Sequence, residues 1–361
     1  MRLLCLLLLF PFVGIGQNNF QAIGLWREHL PYQGAIDVTA SDQKIYAATP
    51  FSLFSVDKNS KEIERFSKVS GLSETGVSAI NYDPASKKLF VAYSNSNLDV
   101  NGFLKTATSF YAATEEGLKK TAVTATNPAD FQAWQNLSGT NGLAASPAKA
   151  IVLLQNKILT LQNDSLFVEN GANWTLFFAN GWPVTSINVS NNQLLVTQRM
   201  ANGASQVVIV DGNATVVRTL QQPGVISFPK KAIAVGTDYW IADLFGGLSQ
   251  FSGNSLDVFK LNSPQDVVLG EMAVRNGTLW TTAGSVSSSW NYQYNRSGIF
   301  KLEDGNWSAF NQYNIPQLDT LLDFITIAID PRDNTAWAGS FGGGLYHIDN
   351  SSSPKIFKQA S

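Results

Sequence analysis

Reactive side chains are scarce in this chain. Of 361 residues, one is cysteine, Cys5, and two are histidine, His29 and His347. A single thiol excludes an internal disulfide framework and any zinc site built on several cysteines, so packing has to supply the stability. Charged residues make up 14% and the formal net charge is -2, which leaves no basic field for a phosphate backbone and excludes a groove-type nucleic-acid protein. After the first residues no apolar run approaches the roughly 20 that a membrane helix needs. The nucleophile-elbow pattern GxSxG, the zinc motif HExxH and the dinucleotide pattern GxGxxG are missing too; Gly342, Gly343 and Gly344 lack both the spacing and the following helix of a phosphate cradle. The segment DPRDN, 330–334, has carboxylates but neither the alternating ligands nor the downstream glutamate of a calcium loop, and reads as a turn. With the two histidines read as strand residues, no catalytic residue, metal or cofactor is expected.

What the chain does hold is apolar and aromatic, 44% and 11% of it. The opening MRLLCLLLLFPFVGIG has one positive charge, a leucine-rich run and small residues before Gln17, the pattern of a secretory signal peptide over 1–16. Cys5 lies within that run, so the exported remainder, 17–361, contains no thiol. The product is expected to be exported and soluble, or held at the cell surface or in the periplasm by partners.

A phrase recurs along the remainder: KIYAAT, KLFVAY, SFYAAT, KILTLQ, QLLVTQ, DYWIAD, TLWTTA and TAWAGS, anchored at Tyr46, Phe90, Tyr111, Leu159, Leu195, Trp240, Trp280 and Trp337. The steps are 44, 21, 48, 36, 45, 40 and 57 residues. Most lie near the repeat of about 40 to 50 residues of propeller blades. An apolar strand precedes most anchors (VSAINYD, VTSINVS, ITIAIDP), and a strand with a central aromatic follows each hairpin (IERFSKV, LDVFKLN, NWSAFNQ). The resulting fold class is all-β, a β-propeller of seven blades of four antiparallel strands. First strands are counted near 36, 78, 149, 185, 231, 271 and 325. The 21-residue step implies either an extra hairpin in the second blade or a shortened unit, and LWREHLPY, 25–32, reads as an outermost strand that lies beside the last blade's own KIFKQAS or leaves the ring open.

The run from Trp26 to Asp83, with RFSKVSGLSETGVSAINYD and FYAATEEGLKK, resembles the N-terminal propeller of the PorZ family of the Bacteroidetes type IX secretion system. The units are also similar to the propeller repeats of two-component regulators. The PorZ resemblance implies a non-enzymatic accessory in an outer-membrane attachment complex with a sortase and barrel partners, binding anionic lipopolysaccharide. It also implies family members longer than this chain, with a second propeller and a C-terminal sorting-type domain. It carries no ligand motif onto particular residues. The alternatives are a periplasmic ligand-sensing propeller of a two-component system, or a propeller-fold lyase or glycosidase, which needs carboxylates and imidazole gathered at the channel mouth.

A binding surface is the better prospect. After Trp280 the insertion SVSSSWNYQYNRSG, 285–298, alternates Trp290, Tyr292 and Tyr294 and adds Arg296. Aromatic faces stack on sugars or on protein, and arginine makes paired contacts with anions. These four residues are the candidate site for a glycan or a partner; the plainer alternative is a long hairpin whose aromatics cover a blade edge. A second insertion, 119–134, is polar and turn-rich and reads as a connecting loop.

Overall fold

The computed structural model describes residues 28–93, 100–127, 131–349 and 353–358; the signal-peptide segment and Trp26 lie outside them. Seven sheets have four antiparallel strands each, in simple up-and-down order: 37–66, 100–136, 150–178, 184–220, 229–259, 272–310 and 324–357. An eighth, 77–93, has two. Helix among the described residues is confined to the short 3-10 turns Phe131–Ala133 and Pro316–Thr320, and no helix is long and apolar enough to cross a membrane.

Every anchor of the recurring phrase falls on the second strand of its sheet, from Tyr46 in Lys44–Ala48 to Trp337 in Ala336–Ser340. The glycine after it permits the hairpin: Gly247 has φ +80, in the left-handed region where other side chains are strained. Strands at blade centres are covered on both faces, as radial stacking requires. Ser205–Val210 is buried at every position, and Asp238–Asp243 at all but its first.

The extra hairpin is found, and two expectations are corrected, the first strand of the second blade and the N-terminal strand. The half-length step is an extra sheet: Val77–Asp83 and Lys88–Tyr93 pair only with each other, and Val100–Lys105 starts a full sheet of its own. Lys88–Tyr93 accordingly alternates between exposed and part-buried positions, with one face uncovered. Counting first strands missed Val100–Lys105, because the preceding sheet stops after two strands and the next begins about half a repeat early. Residues 28–32 form no strand, while 25–27 lie outside the described residues. Instead Tyr32 is buried, its backbone N–H donating to Ser263 Oγ at 2.9 Å.

Buried clusters join the sheets in a definite order. Sheet 100–136 packs on 150–178, that on 184–220, and that on 229–259. Sheet 229–259 then packs on the first sheet, 37–66, through Trp240, Ile233, Val38 and Phe54. Lys231 ion-pairs with the buried Asp37 across that junction at 2.6 Å, and the first sheet packs on 77–93 in turn. Sheets 272–310 and 324–357 share a separate cluster.

An innermost strand has one edge without a strand partner, and side chains of the preceding sheet occupy it. Asp37 and Thr39 accept from the backbone N–H groups of Ile80 and Tyr82. Thr185, Asn188 and Ser190 donate to the carbonyls of Pro229, Ala232 and Ala234 at 2.7, 3.0 and 2.8 Å. Backbone groups that the blade geometry leaves unpaired are thereby satisfied.

Candidate functional site

The insertion between Thr278–Thr282 and Ile299–Glu303 is held from below by one carboxylate. Asp323 is fully buried and accepts three backbone N–H groups, from Gln293 and Tyr294 at Oδ2 and from Asn295 at Oδ1, at 2.8 to 3.0 Å. Its own N–H donates to the Asn295 carbonyl and its carbonyl accepts from Phe341. A carboxylate has about four lone-pair sites, so a single residue can gather a whole turn of donors. Within the insertion only Val286 and Tyr292 bridge as β-structure, and Trp290 and Tyr294 take φ of 56 and 57. The alternation of aromatics is therefore not strand alternation; it comes from a folded loop.

Three of the four candidate residues come together. Tyr292 and Tyr294 stack with centroids 5.7 Å apart, and Phe341 meets Tyr292 edge-on at 5.0 Å and Trp290 at 6.3 Å. Trp290 and Tyr294 remain 69% and 67% exposed, which makes the group a raised aromatic surface rather than a blade-edge cover. Arg296 is turned elsewhere, donating to Gln312 Oε1 at 2.6 Å. The residue that sequence reading missed is Phe341, which belongs to the glycine phrase SFGGGL and was read only as turn chemistry. Gly342, at φ +72, lies against the Tyr292 hydroxyl, where a Cβ would collide with it. Asp323 was missed as well; its signal is an acidic residue inside the apolar run LLDFITIAI.

The histidines stand apart from this surface. His29 accepts from the Trp307 indole at 3.3 Å, and His347 stacks on Trp337 at 4.1 Å. The segment 330–334 is a turn between Phe324–Ile329 and Ala336–Ser340, where Arg332 grips Asp330 at 2.6 Å and holds its carboxyl down to about 2.

The composite stretch, from the second strand of the first sheet through the two-stranded sheet into Val100–Lys105, decides the family likeness. Residues 45–102 match the family model of the type IX secretion PorZ N-terminal beta-propeller domain. Among solved structures, PorZ of Porphyromonas gingivalis, described as an essential bacterial surface component of the type IX secretion system, aligns at 18% identity and TM-score 0.65. That alignment covers 93% of this chain and 53% of PorZ, so this chain spans about half the length of that relative. It shows a shared propeller fold. The extracellular domain of a hybrid two component system from B. thetaiotaomicron also aligns, at 11% identity over 92% of this chain and 53% of its own, with TM-score 0.37. A catalytically inactive virginiamycin B lyase from Staphylococcus aureus aligns at 12% identity over 71% and 94%, with TM-score 0.39. At those scores neither bears on function. No curated protein matches the chain.

Proposed function

We propose that this chain is a non-enzymatic propeller of the bacterial surface that serves type IX secretion, binding anionic lipopolysaccharide and outer-membrane partner proteins through the insertion at 285–298. The observation that carries the reading is the PorZ-type match over 45–102, together with an exposed aromatic surface built on a buried carboxylate. Stiff sheets present the loop at little ordering cost, since Asp323 already fixes its backbone. Trp290 and Tyr294 offer flat faces to a sugar or to a partner's apolar groups, and Arg296 has to leave Gln312 to reach a phosphate or carboxylate held on them. In this reading the protein is exported and meets a sortase and barrel partners at the outer membrane.

The test replaces Trp290, Tyr292, Tyr294 and Arg296 together by serine. Binding to immobilised lipopolysaccharide should weaken by at least about tenfold while the thermal melt is retained, and the wild-type affinity should fall with added salt as an exposed ion contact does. Co-purification of sortase and barrel partners from the native outer membrane should be lost with the same variant. A folded variant that retains both interactions overturns the reading.

A further inference from the structure

A second feature meets the insertion only at Ser297, near its end. A cleft of about 370 Å³ opens where loops of sheets 37–66, 229–259 and 272–310 converge. Phe51, Phe228, Phe245 and Tyr313 line it together with Gln265, Asp266 and Ser297. The rings form a connected wall: Phe228 and Phe245 lie 5.8 Å apart between centroids, and Phe245 and Tyr313 lie 4.2 Å apart.

That wall is built rather than incidental. Asp243 is fully buried, and its Oδ2 accepts from the backbone N–H groups of Ser227 and Phe228 while Oδ1 accepts from Phe245 and Gly246, all at 2.7 to 2.9 Å. One carboxylate thus locks the two loops that carry the aromatic residues. Arg199 and Lys230 lie over the Phe228 ring at 4.7 and 4.5 Å, and neither lines the cleft.

The polar groups are oriented too. Asp266 accepts from Ser297 Oγ at 2.6 Å and from the Val267 N–H at 2.8 Å. Asn311 donates to Gln265 Oε1 at 2.8 Å, which turns the Gln265 amide group to donate. Aromatic faces in one cleft with a carboxylate, an amide donor and a hydroxyl match what a pyranose presents, a C–H face and a hydroxyl rim. The volume lies within the roughly 300–1,000 Å³ of small-ligand sites. The single charge in the lining is negative, so the cleft selects against acidic sugars.

We propose that this cleft binds a neutral hexopyranose unit. The site shares Ser297 with the insertion but none of its aromatic residues, and it goes beyond the lipopolysaccharide reading. The test uses the full chain and saturation-transfer NMR with the methyl glycosides of glucose, galactose and mannose, with N-acetylglucosamine, and with methyl glucuronide as the acidic counterpart. At least one neutral sugar should bind saturably and more tightly than the glucuronide. Phe245→Ala and Tyr313→Ser should each weaken it by at least about tenfold. Tyr313 is 46% exposed, so its variant keeps the test valid if Phe245→Ala misfolds. Asp266→Asn should weaken the neutral sugar and narrow the gap to the glucuronide. Trp290→Ser should leave the sugar bound, which separates failure of this proposal from failure of the lipopolysaccharide reading. Absence of saturable binding by all four neutral sugars, tighter binding of the glucuronide, or affinity unmoved by Tyr313→Ser overturns it.

Discussion

Three buried aspartates, Asp37, Asp243 and Asp323, organise this chain at the scale of single residues. A buried carboxylate is tolerable only when its oxygens are bonded, and all three collect backbone N–H groups from loops or neighbouring strands. Burial pushes the Asp243 carboxyl above its ordinary range, against the pull of four N–H donors. Its folded value therefore exceeds the unfolded one, and the contribution of this group to stability declines as pH rises from the unfolded value through the folded one. Replacing Asp323 by alanine should cost about 2–3 kcal/mol, the scale of hydrogen bonds to a charged group, and should remove hydrogen-exchange protection at the amides of Gln293, Tyr294 and Asn295. Protection that survives the substitution would show that the loop is held by something else. Asp330 behaves in the opposite sense. Arg332 lowers its carboxyl to about 2, so the contact persists while ordinary carboxylates protonate and is lost only as pH falls through that value. A carboxyl-carbon NMR titration should find this, and Arg332→Ala should raise Asp330 toward the ordinary range while the backbone N–H of residue 332 still holds it somewhat low.

At the scale of elements, alternation in the innermost strands has a meaning that the sequence only half reveals. VTSINVS reads as a strand with one apolar and one polar face, and it is one. The polar positions Asn188 and Ser190, however, are not solvent-facing filler; they bond carbonyls of the next sheet 44 residues on. Asn188→Ala should leave the Ala232 carbonyl without this donor at a cost of about 1–3 kcal/mol. Urea unfolding would measure it, and a cost near zero would mean that water replaces the amide. The half-length unit was legible as an anomaly from the spacing of Phe90 and Tyr111 alone. That it is a two-stranded sheet beside a complete one was not, because whether a third strand joins a hairpin depends on its neighbours.

At the scale of the whole molecule, one junction joins sheets far apart in sequence, 229–259 and 37–66. Trp240 is its largest fully buried side chain, stacked on Phe259 at 5.6 Å with Lys61 5.4 Å from its ring. Trp240→Ala should cost about 3–5 kcal/mol, as truncation of a large core side chain does. Differential scanning calorimetry reads the loss directly; a melt within a degree or two of the parent would show that this junction does not rest on Trp240.

The sequence by itself determined the repeating hairpins, the second-strand anchors, the turn glycines and the all-β class, because these rest on two-residue alternation and on dihedrals set by adjacent residues. Tertiary structure alone decided which sheets touch. It set Phe341 against Tyr292, drew Arg296 away to Gln312 and put Phe228 and Phe245 on one buried carboxylate. Alternation assigns each side chain to a face, but what meets that face follows from how the sheets stack.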